Sequence, residues 1–200
     1  MFSIAIATSV LKVGYVSPAR PKIRYVLSLL EEPELVPKVE AEVQKDDFVF
    51  KFIQIEDAVN ADILFILKDA CDWIGEQLKQ NDGGVLVHCY GGVSRSASVV
   101  VAYYMRETGV DLQEALSYVE NRRGCVDPNL GFRKQLELWE RLEYDVVDQD
   151  GRHKEAYMRW KTEKDVLLMD ILEDRNAEDG QSWWTQGVVS ASSGGDEGEV

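Results

Sequence analysis

An α/β fold with a mainly parallel central sheet and helices on both faces is what this 200-residue chain predicts, on three observations. Val85-Leu86-Val87 is short and apolar on all sides, the pattern of a strand inside a parallel sheet. Segments of helical periodicity flank it over 62–79 and 95–107, giving the alternation of strands and crossover helices. Hydrophobic residues make up 45% of the chain, enough for one domain with a substantial core plus an appendage.

Taken in order, residues 2–16 hold two alternating stretches, Ser3-Ile4-Ala5-Ile6-Ala7 and Leu11-Lys12-Val13-Gly14-Tyr15-Val16, which read as edge strands. Residues 23–30 and 48–55, rich in Val, Ile, Leu and Phe, read as core strands separated by an acidic segment with Pro33 and Pro37. From Asp62 to Lys79 the residues Ile63, Phe65, Ile66, Leu67, Ala70, Trp73, Ile74 and Leu78 recur at helical spacing, and Asn81-Asp82-Gly83-Gly84 ends the helix. A second helix runs over 95–107, with Gly109 as its stop. Asp111-Leu112-Gln113-Glu114 has the cap and third-position acid of a helix start. Asp127 and Pro128 open the next helix as cap and first-turn proline. Residues 153–173 form an amphipathic helix through Ala156, Tyr157, Trp160, Leu167, Leu168, Ile171 and Leu172, which packs on the domain or binds a partner. Residues 176–200 are Gly-, Ser- and acid-rich and read as a disordered tail; Trp183-Trp184 within them is a docking motif or an unconstrained pair.

The net charge is −14, and more than half of the excess lies beyond residue 140. Such a balance disfavours nucleic acid and anionic membrane as partners, since both are drawn to basic patches. No apolar run has the length of a membrane span. Met1 to Val10 is apolar but lacks the basic opening and cleavage site of a secretory signal. Cys71, Cys89 and Cys125 give neither an even disulfide framework nor metal-ligand spacing, so the chain belongs in a reducing, intracellular compartment, cytoplasm or nucleus, and no metal is expected. Cys71 and Cys125 are either ordinary packing residues or resolving thiols for an oxidised Cys89.

The chemistry concentrates in Cys89-Tyr90-Gly91-Gly92-Val93-Ser94-Arg95, entered from the apolar strand and left through a helix. A strand, a glycine-bearing loop and a helix start converge several backbone N–H groups on one point, which suits an oxyanion. A thiol attacks phosphorus usefully as the thiolate, and amide dipoles, a helix N-terminus and a guanidinium all favour that form. Five intervening residues are enough to turn once around a tetrahedral anion and return Arg95, whose planar fork binds two phosphoryl oxygens where lysine would supply charge alone. Gly91 and Gly92 are expected at backbone angles and approaches that a β-carbon disfavours.

His88-Cys89, five residues, then Arg95-Ser96 resembles the signature of cysteine-dependent protein phosphatases, and Gly92-Val93-Ser94-Arg95-Ser96-Ala97 resembles the dual-specificity branch. Tyr25 to Leu30 is similar to that family's early core strand, Phe52 to Asp57 to the strand entering its general-acid loop, and Asp127-Pro128-Asn129-Leu130-Gly131-Phe132 with Gln135-Leu136 to its last core helix. The resemblance spans roughly residues 22 to 142 and implies a phosphatase-like fold, with the catalytic domain over 22–145, an unsettled N-terminal edge over 1–21, a C-terminal helix within 146–175 and the acidic tail beyond. Only Ser17 to Pro21 separates Val16 from Lys22 where the family has a helix, so the N-terminal edge is abbreviated or its start is missing.

By resemblance, Cys89 is the nucleophile that becomes a phosphocysteine, Arg95 holds the phosphoryl group, and Asp57 is the general acid and then base, with Asp62 as a rival that reads better as a helix start. Ser96 places a hydroxyl near the sulfur, and His88 fixes the loop through its ring nitrogens. Asn129 either braces the phosphate loop or is a plain first-turn asparagine. The resemblance implies no cofactor.

Tyr90, Gly91, Gly92, Val93 and Ser94 put no lysine or further arginine inside the loop, which favours a monophosphate on a protein over a polyphosphorylated lipid. The expected substrate is a protein carrying phosphotyrosine, phosphoserine or phosphothreonine. The alternatives are a non-protein phosphate (RNA, glucan or lipid) and a module that binds phosphorylated partners without turnover.

Overall fold

Apolar runs build the sheet of the computed structural model, which describes residues 4–7, 13–15, 22–32, 48–80, 82–164 and 166. Its strands are β1 (Ile4–Ala7), β2 (Val13–Tyr15), β3 (Ile23–Leu30), β4 (Val49–Gln54) and β5 (Gly84–His88), in the order β2-β1-β5-β3-β4. All neighbours run parallel except β2, which is antiparallel to β1. β1 is therefore not an edge strand as its alternation suggested. Ile4-Ala5-Ile6-Ala7 carries no polar residue on either face, which suits its place between β2 and β5.

β5 lies at the centre, paired with β1 on one side and β3 on the other. Tyr25 to Leu30 of β3 are all buried, so both of its faces are covered. The β3–β5 register sets Leu27 opposite Val87 and Ser28 opposite His88, placing a hydroxyl beside an imidazole at the carboxyl end of the sheet. Ligands bind at that end of α/β sheets.

The helices are α1 (Leu64–Gln80), α2 (Arg95–Thr108), α3 (Leu112–Glu120) and α4 (Leu130–Arg141). α1 is the crossover from β4 to β5, two strands that flank β3. α2 lies against β1, β3 and β5, while α1, α3 and α4 pack on α2. Every residue from Arg95 to Tyr103 is buried, as expected for a helix enclosed by sheet and helices. It ends at Gly109, whose φ of 71° is a left-handed cap that a β-carbon would strain.

Asp111 caps α3 by accepting a hydrogen bond from Glu114 N at 2.9 Å. α4 begins two residues later than Asp127-Pro128 suggests. Its cap is Asn129, which accepts from Phe132 N at 2.9 Å, while Asp127 instead donates its backbone N–H to Val93 O. Near this start a β-carbon on Gly131 would come within 1.7 Å of Val59 O, so only glycine lets α4 lie against the 55–63 loop.

Beyond α4 the chain turns through Glu143 and Tyr144, both at positive φ, and Tyr144 packs its ring edge on Trp139. An isolated antiparallel bridge joins Val147 to His153, closed by a turn in which Asp148 accepts from Asp150 N and Arg152 N. A helical stretch follows over 155–164, and the compact unit that contains the sheet extends to Lys161. His153 is exposed, as expected of a solvated side chain, with its ring against Tyr157. Residues 167–173 of the anticipated amphipathic helix, the tail over 176–200 and Trp183-Trp184 lie outside the described residues. Among the described residues no helix is long and apolar enough to cross a membrane.

Gly131→Ala is expected to destabilise the domain by about 3 kcal/mol or more, the upper part of the range for overpacking, because the atoms it meets are backbone. Urea unfolding would measure this, and an unchanged midpoint would contradict the close approach of α4 to Val59.

Candidate active site

Cys89 leaves the end of β5 and is 1% exposed, with the loop 89–95 turning from it into the first residue of α2. Gly92 sits at φ 63°, which requires glycine. Gly91 departs from expectation: a β-carbon there would make ordinary contact with Val93 at 3.5 Å.

The outside of the loop is tied down carbonyl by carbonyl. Arg123 Nε donates to Gly92 O at 3.1 Å, Asp127 N donates to Val93 O at 2.9 Å, and Ser98 donates to Ser94 O from both its N–H and its hydroxyl at 2.8 Å. In a planar trans peptide each N–H points away from the preceding carbonyl. Anchoring these consecutive carbonyls outward therefore turns the N–H groups of Val93, Ser94 and Arg95 the other way, into a nest for an anion.

Around that nest the side chains converge. Cys89 Sγ lies 3.2 Å from Ser96 Oγ, both atoms buried. The buried Arg95 places Nη1 3.2 Å from Ile55 O and 3.3 Å from Glu31 Oε1, with Nε 3.7 Å from Asp57 Oδ2. That Nε is buried without a hydrogen bond. Asp57 Oδ1 accepts from Ser94 Oγ at 2.6 Å and from Asn129 Nδ2 at 2.9 Å, and Asn129 N donates to Ser94 Oγ at 3.1 Å. Asn129 thus both caps α4 and bridges the two loops.

Asp62 is engaged elsewhere. Its Oδ1 accepts from Phe65 N at 3.1 Å in the first turn of α1, and its Oδ2 accepts from the Tyr157 hydroxyl at 2.7 Å. His88 is 2% exposed and pairs Nε2 with Ser28 Oγ at 2.7 Å. Burial holds its imidazole below the usual histidine value, a backbone contact with Cys89 opposing. A neutral ring at the strand end adds no cation to the anion nest. Tyr90 is exposed at the loop rim.

Cys71 is fully buried in α1, and burial pushes its thiol up to about 12, so it supplies no thiolate. Cys125 is exposed in the turn before Asp127. Among the described residues no group of three or more His, Cys, Asp or Glu is placed to hold a metal ion.

Two further contributors, Glu31 and Gln135, are given no role by the sequence alone. Glu31, at the end of β3, reaches Arg95 only because β3 neighbours β5. Gln135 is wholly buried: its Oε1 accepts from Ile63 N at 2.9 Å and Leu64 N at 3.2 Å, and its Nε2 donates to Ala61 O at 2.9 Å and Gly131 O at 3.2 Å. A signal for it did exist, an amide on the same helical face as Phe132, Leu136 and Trp139.

A buried cysteine at the end of a central parallel strand, an amide nest and a guanidinium at a helix start define a cysteine-bearing oxyanion loop on an α/β scaffold. The family model "Dual specificity phosphatase, catalytic domain" matches residues 15–142. The chain is 38% identical over 133 residues to the dual specificity protein phosphatase MPK-4 of Drosophila melanogaster, covering 66% of this chain and 33% of that one. It is 40% identical over 104 residues to dual specificity protein phosphatase 1 of Arabidopsis thaliana, covering 52% of each. Among solved structures it is similar to human DUSP28, with a TM-score of 0.57, 25% identity, and 70% of this chain and 93% of that chain covered. A human tyrosine phosphatase-like serine/threonine/tyrosine-interacting protein gives a TM-score of 0.54 at 30% identity, covering 60% of this chain and 78% of that chain. This chain belongs to the dual-specificity phosphatase family. It spans between a third and about half of the length of the two curated relatives.

Gln135→Leu leaves Ile63 N, Leu64 N and Ala61 O without this partner, and is expected to destabilise by about 2–4 kcal/mol. Chemical denaturation with near-UV circular dichroism measures it; a loss under about 0.5 kcal/mol would show that the amide does not hold this loop.

Proposed function

We propose that this chain is a dual-specificity protein phosphatase, hydrolysing phosphotyrosine and phosphoserine or phosphothreonine through a phosphocysteine at Cys89. The observation that carries this reading is the convergence of Cys89, Ser96, Arg95 and Asp57 on the face of the loop toward which the Val93, Ser94 and Arg95 N–H groups turn.

The Cys89 thiolate attacks phosphorus as the bond to the leaving oxygen breaks, and Asp57 gives that oxygen its proton. Because Oδ1 already accepts from Ser94 and Asn129, Oδ2 is the oxygen left to pass the proton. Asp57, now a carboxylate, takes a proton from water. The water oxygen attacks phosphorus, and the sulfur–phosphorus bond breaks with the Ser96 hydroxyl stabilising the departing thiolate. Arg95 and the loop amides hold the equatorial oxygens throughout.

The buried, unbonded Arg95 Nε supports an anion there: an unsatisfied buried donor costs about 1–3 kcal/mol, and a phosphoryl oxygen would relieve it. Asn129 supports the loop through Ser94 and Asp57, His88 ties the strand end to Ser28 of β3 instead, and Tyr90, Gly91 and Gly92 complete the loop without adding charge. That composition supports a monophosphate on a protein as substrate, with no cofactor. The acidic balance and the reduced cysteines support an intracellular setting, in cytoplasm or nucleus.

Cys89→Ser should abolish turnover of a phosphotyrosine and a phosphothreonine peptide without changing the circular dichroism spectrum; activity within tenfold of the parent would refute the nucleophile. Arg95→Lys should fall nearly as far as Arg95→Ala, because one ammonium cannot follow two oxygens into the transition state. Near-normal kcat in the lysine variant would contradict the bidentate role. EDTA should leave turnover unchanged, and inhibition relieved by a divalent ion would overturn the metal-free mechanism.

A further inference from the structure

Residues 143–161 lie beyond the stretch matched by the family model yet belong to the same compact unit as the sheet. They contribute one of the largest fully buried side chains of the described molecule, Tyr157. Its ring is enclosed, with Trp160 stacked at 6.1 Å and His153 at 5.2 Å, and its hydroxyl reaches 95 residues back in sequence to Asp62 Oδ2 at 2.7 Å. The phenol is the donor, since burial and the Asp62 carboxylate both push its ionisation upward.

Asp62 stands at a mechanically sensitive place. One oxygen holds Phe65 N in the first turn of α1, so the carboxylate marks the downstream end of the segment that begins at Ile55 and carries Asp57. That segment is fixed upstream by Ile55 N donating to Leu30 O at 3.0 Å and downstream by Gln135 on Ala61, Ile63 and Leu64. Tyr157 adds a second downstream anchor from an independent element. The extension is itself tied to the residue that caps the end of α4, Lys154 Nζ donating to Leu142 O at 2.5 Å, and is folded back on itself by Lys154 N donating to Val146 O at 2.9 Å.

We propose that residues 143–161 are a clamp on the general-acid loop, in which the Tyr157–Asp62 hydrogen bond positions Asp57 for proton transfer. Tyr157 is a positioning residue that acts through Asp62, and the inference rests on Asp57 being the general acid. Proton donation matters in proportion to the basicity of the leaving oxygen, so a loosened clamp penalises poor leaving groups selectively.

The test uses the full chain and compares a phosphotyrosine peptide with an aryl phosphate of low leaving-group pKa, in the parent, Tyr157→Phe, Asp57→Asn and the double variant. Tyr157→Phe keeps the buried ring and loses only the hydroxyl. It is expected to lower kcat for the peptide roughly tenfold while changing the activated substrate less than about twofold, the scale of a small misplacement of a catalytic group. In the Asp57→Asn background it should have no further effect, because the group it positions is gone. Equal losses on both substrates, a lowered melting temperature with an unchanged substrate ratio, or full additivity with Asp57→Asn would overturn the clamp while the acid role stands. An Asp57→Asn variant indifferent to the leaving group would overturn the acid role and the clamp with it.

Discussion

The outward anchoring of the carbonyls of Gly92, Val93 and Ser94 is the constraint on which the rest of the site depends. Left free, a loop containing Gly91 and Gly92 would sample many conformations, and ordering it around each anion would cost roughly 1–2 kcal/mol per residue. Arg123, Asp127 and Ser98 prevent this by engaging the carbonyls from behind, so the amides face the anion site before any ligand arrives. Preorganised dipoles of this kind stabilise developing charge without reorganising at the moment of reaction. The same stretch of chain continues into Asn129, Gly131 and Gln135, which hold the 55–63 loop. One helix start therefore sets the relative position of the 89–95 loop and the loop that carries Asp57.

The electrostatics follow from that geometry. Arg95 is a buried cation, which is tolerable only with anionic or carbonyl partners close by. Glu31 and Ile55 O supply them at Nη1 and leave Nε without a hydrogen bond. Holding the guanidinium from one side fixes the plane of its fork. His88, held neutral by burial, adds no charge at the end of β5, and the second guanidinium, Arg123, engages the loop at Gly92 O.

Much of this was legible in the sequence where the determinants are local. Cys89 to Ser96 is contiguous, and the apolar strand before it and helix after it already imply a nest at a helix N-terminus. Central placement of Val85-Leu86-Val87 follows from its lack of a polar face. What could not be read depends on strand order and long-range packing. Glu31 meets Arg95 because β3 neighbours β5, and Tyr157 meets Asp62 across 95 residues. The cap of α4 illustrates a nearer miss: Asp127-Pro128 has the local chemistry of a helix start, but the Asp127 N–H is taken by Val93 O, and Asn129 caps instead. Similarly, Ile4 to Ala7 alternates in size rather than polarity, which marks an interior strand and not an edge.

A covalent intermediate on Cys89 separates this chemistry from any route in which water attacks phosphorus directly or the loop merely holds a phosphorylated partner. Rapid acid quench of the enzyme during turnover of an aryl phosphate, followed by peptide mapping, reads it out. The expected result is phosphate on the peptide containing Cys89, absent in Cys89→Ser. Sustained turnover with no phosphopeptide, or with phosphate on a different residue, would contradict nucleophilic catalysis by Cys89.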